Sequence, residues 1–195
     1  MSKVRVRLRE KRHIYIHNDI ANAAFHFKKR ILDRLETGDR EGITLDVMAG
    51  LTMLAFAVEA RINFVGIKRV KDWKERRPYL EKTETVCASL GINPDWKVRP
   101  LSSIRALVEF RNLLAHGKPQ EHYKEEEVVI TDEEINDRKM LIPEWQDYAT
   151  EQNFLDTYDD AEAFWHELIN KAGLRIFDTI TSGESSIDFI ERIDE

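Results

Sequence analysis

From Asn18 to about Glu36, Ala23, Ala24, Phe27, Ile31 and Leu35 recur three or four residues apart, with Lys28, Lys29, Arg30, Asp33 and Arg34 mainly outside that face. This spacing predicts an amphipathic helix, opened by Asn18 or Asp19 and stopped at Gly38. A second helix, with Thr44 placed to cap it, carries Leu45, Met48, Leu51, Met53, Leu54, Phe56, Val58, Ile62, Phe64 and Val65. A helix apolar nearly all round belongs at the centre of a bundle. Glu59 within it therefore needs a cation, with Arg111 first in line and Arg61 the competitor. Pro78 opens a third helix, on which Leu80, Val86, Cys87 and Leu90 face inward before Gly91 closes it. From about Asp156 a last long helix presents Ala161, Phe164, Trp165, Leu168, Ile169, Ala172, Ile176, Phe177 and Ile180, and ends at Gly183.

Elsewhere the period is two. Val4, Val6 and Leu8 alternate with Arg5, Arg7 and Arg9, and Ile14 and Ile16 alternate with His13, Tyr15 and His17. Alternation predicts short strands, whose expected partners are 127–131 and 139–142. Ile187, Phe189, Ile190 and Ile193 are read as a short docking helix within an acidic tail. The fold class expected is mainly α, an up-down bundle of four to five helices with a small peripheral antiparallel β element. As one domain, the chain divides into a basic strand-like segment (1–17), a helical core (18–117), an acidic insertion with a candidate hairpin (118–150), a core helix (151–182) and the tail (183–195).

The helix from Ser102 to His116 stands apart. Ser102 or Ser103 is placed to cap its start, Gly117 to take the left-handed position after its end, and Pro119 to stop continuation. Ile104, Leu107, Val108, Phe110, Leu114 and Ala115 form an apolar stripe, and Arg111 falls in the middle of it. A guanidinium cannot shed its charge, so this position calls for an anion. Arg105, Glu109, Asn112 and His116 line a second, polar row. Pairing of Arg111 with Glu59, and capping of the helix end by His116, would explain these residues without catalysis.

Composition narrows the setting. With 42% hydrophobic and 34% charged residues, the chain is expected to be soluble and globular. The longest apolar run, Val47 to Val58, is short for a bilayer span, and no leader is recognisable at the amino terminus. No membrane association is expected. One cysteine, Cys87, suits a reducing cytoplasm and reads as a small buried hydrophobe. Neither a Cys pair nor a His-Glu-x-x-His run is present, so no metal or cofactor is expected. Net charge is −6, which argues against nucleic-acid binding by overall attraction. Its distribution is uneven: residues 1–12 hold six Lys or Arg against one acid, and residues 121–162 hold fifteen acids against three bases. Those regions could pair within the fold, or the basic one could face RNA. His26 and His166 are placed at core edges or the surface, and Trp73 and Trp96, near basic residues, could stack on bases, although packing is the more frequent fate of tryptophan.

Arg111-Asn112-Leu113-Leu114-Ala115-His116 resembles the R-x4-H signature of the HEPN superfamily, with Asn second and Gly117 trailing. The resemblance covers roughly residues 18–117 and the last long helix. It implies a metal-independent endoribonuclease of the toxin, stress or antiphage kind, in which Arg111 meets the phosphate and His116 is general acid or base. Asn112, Glu59 and Glu109 would support them. It also implies a homodimer with a shared site, RNA as substrate, and an antitoxin or nucleotidyltransferase-type partner protein. The alternative is a non-catalytic helical module for dimerisation, nucleotide or partner binding. Geometry bears on the choice, because five positions along a regular helix turn Arg111 and His116 about 140° apart. Convergence on one phosphate requires either a distorted helix end or a second copy.

Overall fold

A computed structural model describes residues 3–119, 121–136 and 143–193. The chain is mainly helical, with a small two-stranded antiparallel sheet. The elements are β1 (Lys3–His13), α1 (Ile16–Thr37), α2 (Ile43–Arg69), α3 (Tyr79–Ser89), α4 (Leu101–His116), α5 (Asp132–Asn136), α6 (Glu144–Tyr148), α7 (Glu151–Lys171), a 3-10 turn (Ile176–Thr179) and β2 (Ser182–Ile193).

Helix α2 is the axis of the fold, and α1, α3, α4 and α7 all pack on it. Val47, Leu51, Leu54, Val58, Ile62 and Val65 are buried along its length, which follows from its having almost no polar face to turn outward. By length and composition α2 could cross a bilayer, and half of its most apolar window is buried within the bundle. Two glycines set how closely neighbours approach it. A Cβ on Gly50 would meet the Phe154 ring of α7 at 2.8 Å, and one on Gly66 would meet the Trp73 indole at 2.5 Å.

Helix starts depart from the side-chain caps expected of them. No side-chain cap hydrogen bond opens α1, α2 or α4. Instead of Ser102 or Ser103 capping α4, the Val98 carbonyl accepts from Ser102 N–H at 2.9 Å and the Pro100 carbonyl from Ile104 N–H at 3.2 Å. The preceding turn supplies acceptors, so a hydroxyl is not needed. Thr44 lies inside α2, which begins after Gly42 at φ 67°. Helix α1 begins before Asn18, whose amide donates to the Thr179 carbonyl at 2.6 Å and ties the helix start to the returning carboxyl-terminal segment.

The expected helix through Ile180 stops at Lys171. Gly173 takes φ 59°, and Leu174 N–H reaches back to the Ile169 carbonyl at 3.0 Å, the closing bond of a Schellman end. The chain then turns and runs out as β2, where a tail helix was expected. Residues 121–131 form no strand, and 139–142 lie outside the described residues. The partner of β1 is β2, in antiparallel register from Lys3↔Ile193 to His13↔Ser182. Opposite charges favour this pairing: Arg5 pairs with Glu191, and Arg9 Nη1 lies 2.7 Å from Asp188 Oδ2. The basic amino-terminal segment thus meets the acidic carboxyl-terminal strand, where pairing with 121–162 had been one expectation.

Candidate functional site around Arg111

Helix α4 buries Ile104, Leu107, Val108 and Phe110 against the core, packing on α2 and α7. One turn later the same side of the helix carries Arg111 toward α2. Arg111 Nη2 donates to Glu59 Oε2 at 2.9 Å. The guanidinium carbon sits 5.8 Å from the Phe56 ring centroid, and the Arg111 side chain keeps 23% of its surface exposed. Its Nε is buried without a partner.

Glu59 is shared. Lys82 Nζ, on α3, lies 2.5 Å from Glu59 Oε1 and also donates to the Glu75 carbonyl at 3.0 Å. Lys82 is almost wholly buried, so its ammonium depends on these acceptors. One carboxylate therefore binds three helices, and two cations share one anion, leaving the cluster net positive. Tyr79 packs beside it, its phenol pushed well above the ordinary range, chiefly by burial. Arg61 does not compete for Glu59. It points to the other side of α2, with Nη1 2.7 Å from Glu162 Oε1 and its guanidinium over the Trp165 ring.

Leu113 and Leu114 are part-buried, with Leu114 packed on the core, and the polar residues of the hexad face outward. Asn112 and His116 are exposed. Glu109 is also exposed and accepts from Arg105 Nε at 2.9 Å on the outer surface of α4, apart from the Glu59 carboxylate. His116 is the last helical residue, followed by Gly117 at φ 34° with its N–H on the Leu113 carbonyl at 3.1 Å. Because α4 stays helical through His116, the backbone does not swing the imidazole round to Arg111. A cavity of about 460 Å³ opens at this end of α4, lined by Leu113, Leu114, Gly117, Lys118, His122, Pro143 and Trp145.

The structure thus brings Arg111 and Glu59 together, leaves Asn112 and His116 exposed and turned away from that pair, and sets Glu109 apart. Lys82 was missed from the pattern of residues, although a signal existed. Tyr79, Lys82, Thr83, Val86 and Cys87 follow the spacing of a buried stripe, and all five are buried. Cys87 is buried as expected, its thiol pushed up to about 11 by burial. His26 is exposed, whereas a place at the core edge was expected. His17, read as part of a strand, lies buried in the first turn of α1. Comparison with known proteins identifies no relative: no family model matches the chain, and no curated protein or solved structure is significantly similar to it.

Proposed function

We propose that the chain is a HEPN-type, metal-independent endoribonuclease that acts as a homodimer, with the hexads of two α4 helices lining one cleft. The observation carrying this reading is the charge balance at Glu59. Lys82 already answers the carboxylate, so Arg111 retains positive charge on a helix whose exposed polar residues include Asn112 and His116. A planar guanidinium suits the oxygens of a phosphodiester and stays charged as negative charge builds there. One imidazole takes the proton from a ribose 2′-hydroxyl as that oxygen attacks phosphorus. The imidazolium of the other copy gives a proton to the departing 5′-oxygen. The products are a 2′,3′-cyclic phosphate and a 5′-hydroxyl. The 140° between Arg111 and His116 on a straight α4 is what makes a second copy necessary, since one helix cannot aim both at one phosphate.

The test is cleavage of a mixed RNA pool by purified protein in EDTA, with end-group analysis. His116→Ala should lower the rate at least about 100-fold and leave the thermal unfolding curve in place. No cleavage by wild type, or equal cleavage by His116→Ala, would reject the proposal. One observation favours a second reading, a non-catalytic module for dimerisation, nucleotide or partner-protein binding. The Arg111–Glu59–Lys82 group already joins three helices without needing His116. That reading predicts that Arg111→Ala lowers stability while His116→Ala changes nothing.

A further inference from the structure

The β1–β2 ribbon is physically incomplete. It spans roughly 35 Å, and every residue in it except Val6 and Asp188 is exposed. A two-stranded ribbon alone in water is marginal at best. Its two faces differ. The register places Arg5 opposite Glu191 and Arg7 opposite Asp188 on one face, and Val6 opposite Phe189 and Leu8 opposite Ile187 on the other, where Val4 meets Arg192 near the tip. The apolar pairs lie toward the far end, where Lys3 meets Ile193. The half nearest the helices holds Glu10, Arg12, Gly183, Glu184 and Ser185. The apolar surface is therefore carried away from its own core.

At the base of the same ribbon lies an apolar groove of about 440 Å³, lined by Ile14, Tyr15, Ile16, Phe64 and Ile67 among others. Ile14, Ile16 and Ile67 are each more than half exposed there, at 66%, 58% and 63%.

We infer that the occupant of this groove is the apolar outer half of the ribbon from a second copy of this chain, exchanged reciprocally about a two-fold axis. The area argues for a second copy. Val4, Leu8, Ile187 and Phe189 are 49%, 62%, 72% and 64% exposed, on the order of 400 Å² of surface. Seating that surface on the groove and its exposed rim of Ile14, Ile16 and Ile67, twice, buries at most about 1,600 Å², the size of a stable interface. A single ribbon meeting an unrelated surface once would bury half as much. The charged face stays in solvent, its ion pairs intact. This surface is distinct from the α4 hexad, so an inactive protein that still exchanges its ribbons would leave the inference standing.

The experiment uses the full chain. Wild type should sediment as a dimer at micromolar concentration. Phe189→Lys and Ile67→Glu should each raise the dimer dissociation constant roughly 100-fold or more, with far-UV circular dichroism unchanged. As a second measurement that does not depend on destabilising charges, Phe189→Cys and Ile67→Cys chains are mixed and oxidised. A disulfide joining the two kinds of chain, with neither kind linking to itself, supports reciprocal seating. Three results overturn it: a wild type monomeric throughout, a dimer indifferent to both charge variants, or self-linking of Phe189→Cys alone.

Discussion

Replacing Glu59 by glutamine tests whether the carboxylate shared between Lys82 and Arg111 holds the bundle together. The Lys82 side chain is 1% exposed, and Glu59 and Arg111 are 29% and 23% exposed. In Glu59→Gln the amide keeps the volume and can accept one hydrogen bond, but the buried ammonium loses its counter-charge. Breaking a buried ion pair by removing one partner costs about 3–5 kcal/mol. Water reaches Glu59 from one side, so the low end applies, at about 3 kcal/mol. Losing the attraction to the more accessible Arg111 adds about 1 kcal/mol at most. The decisive comparison is Glu59→Gln against Glu59→Gln with Lys82→Met, followed by urea unfolding in physiological salt. Removing the stranded ammonium should return about 2 kcal/mol, because methionine packs where lysine lay. If Lys82→Met instead destabilises the Glu59→Gln protein further, the buried charge is not the seat of the effect. The premise that Lys82 frees Arg111 for other duty then fails.

Two further outcomes follow from buried groups. His17 is held down to about 4, first by desolvation and then by the Arg61 charge, against an ordinary 6.5 in the unfolded chain. Its folded value is depressed, so the unfolded state binds the extra proton between those values. Stability is complete above about pH 6.5 and falls by about 3 kcal/mol as pH drops toward 4. Urea unfolding of wild type and His17→Phe at pH 7 and pH 4.5 reads this directly, and an equal loss in both proteins would assign it elsewhere. Gly66→Ala should destabilise by about 1–3 kcal/mol, since its Cβ would overlap the Trp73 indole at 2.5 Å. Adding Trp73→Ala should make the pair cost less than the sum of the singles in the same assay, and simple additivity would refute the clash.

The long helices were legible because burial stamps its period on them. The apolar residues of α2 could not all face one side, so its central place followed, and a carboxylate within it demanded a cation. What escaped depends on distant partners. The alternation Ile187, Phe189 and then Ile193 was disguised by a bulge that leaves Ile190 out of register, and the partner strand lies at the opposite end of the sequence. The starts of α1 and α4 were misjudged because carbonyls of the preceding turn and a contact to Thr179 replace the hydroxyl caps. Lys82 went unread, although its position within a buried stripe of α3 marked it. The direction of His116 followed from helical geometry alone; whether a second molecule meets it is not written in one chain.

Every other residue of the outer part of β1 is an arginine, and each strand of the ribbon has one unpaired edge. Were another β1 to extend the sheet sideways, rows of guanidinium groups would be brought into opposition. Stacking through the oily side encounters no such repulsion. In the ribbon exchange inferred above, those arginines would therefore disfavour edge-to-edge joining of two β1 strands and leave the oily side as the face of contact.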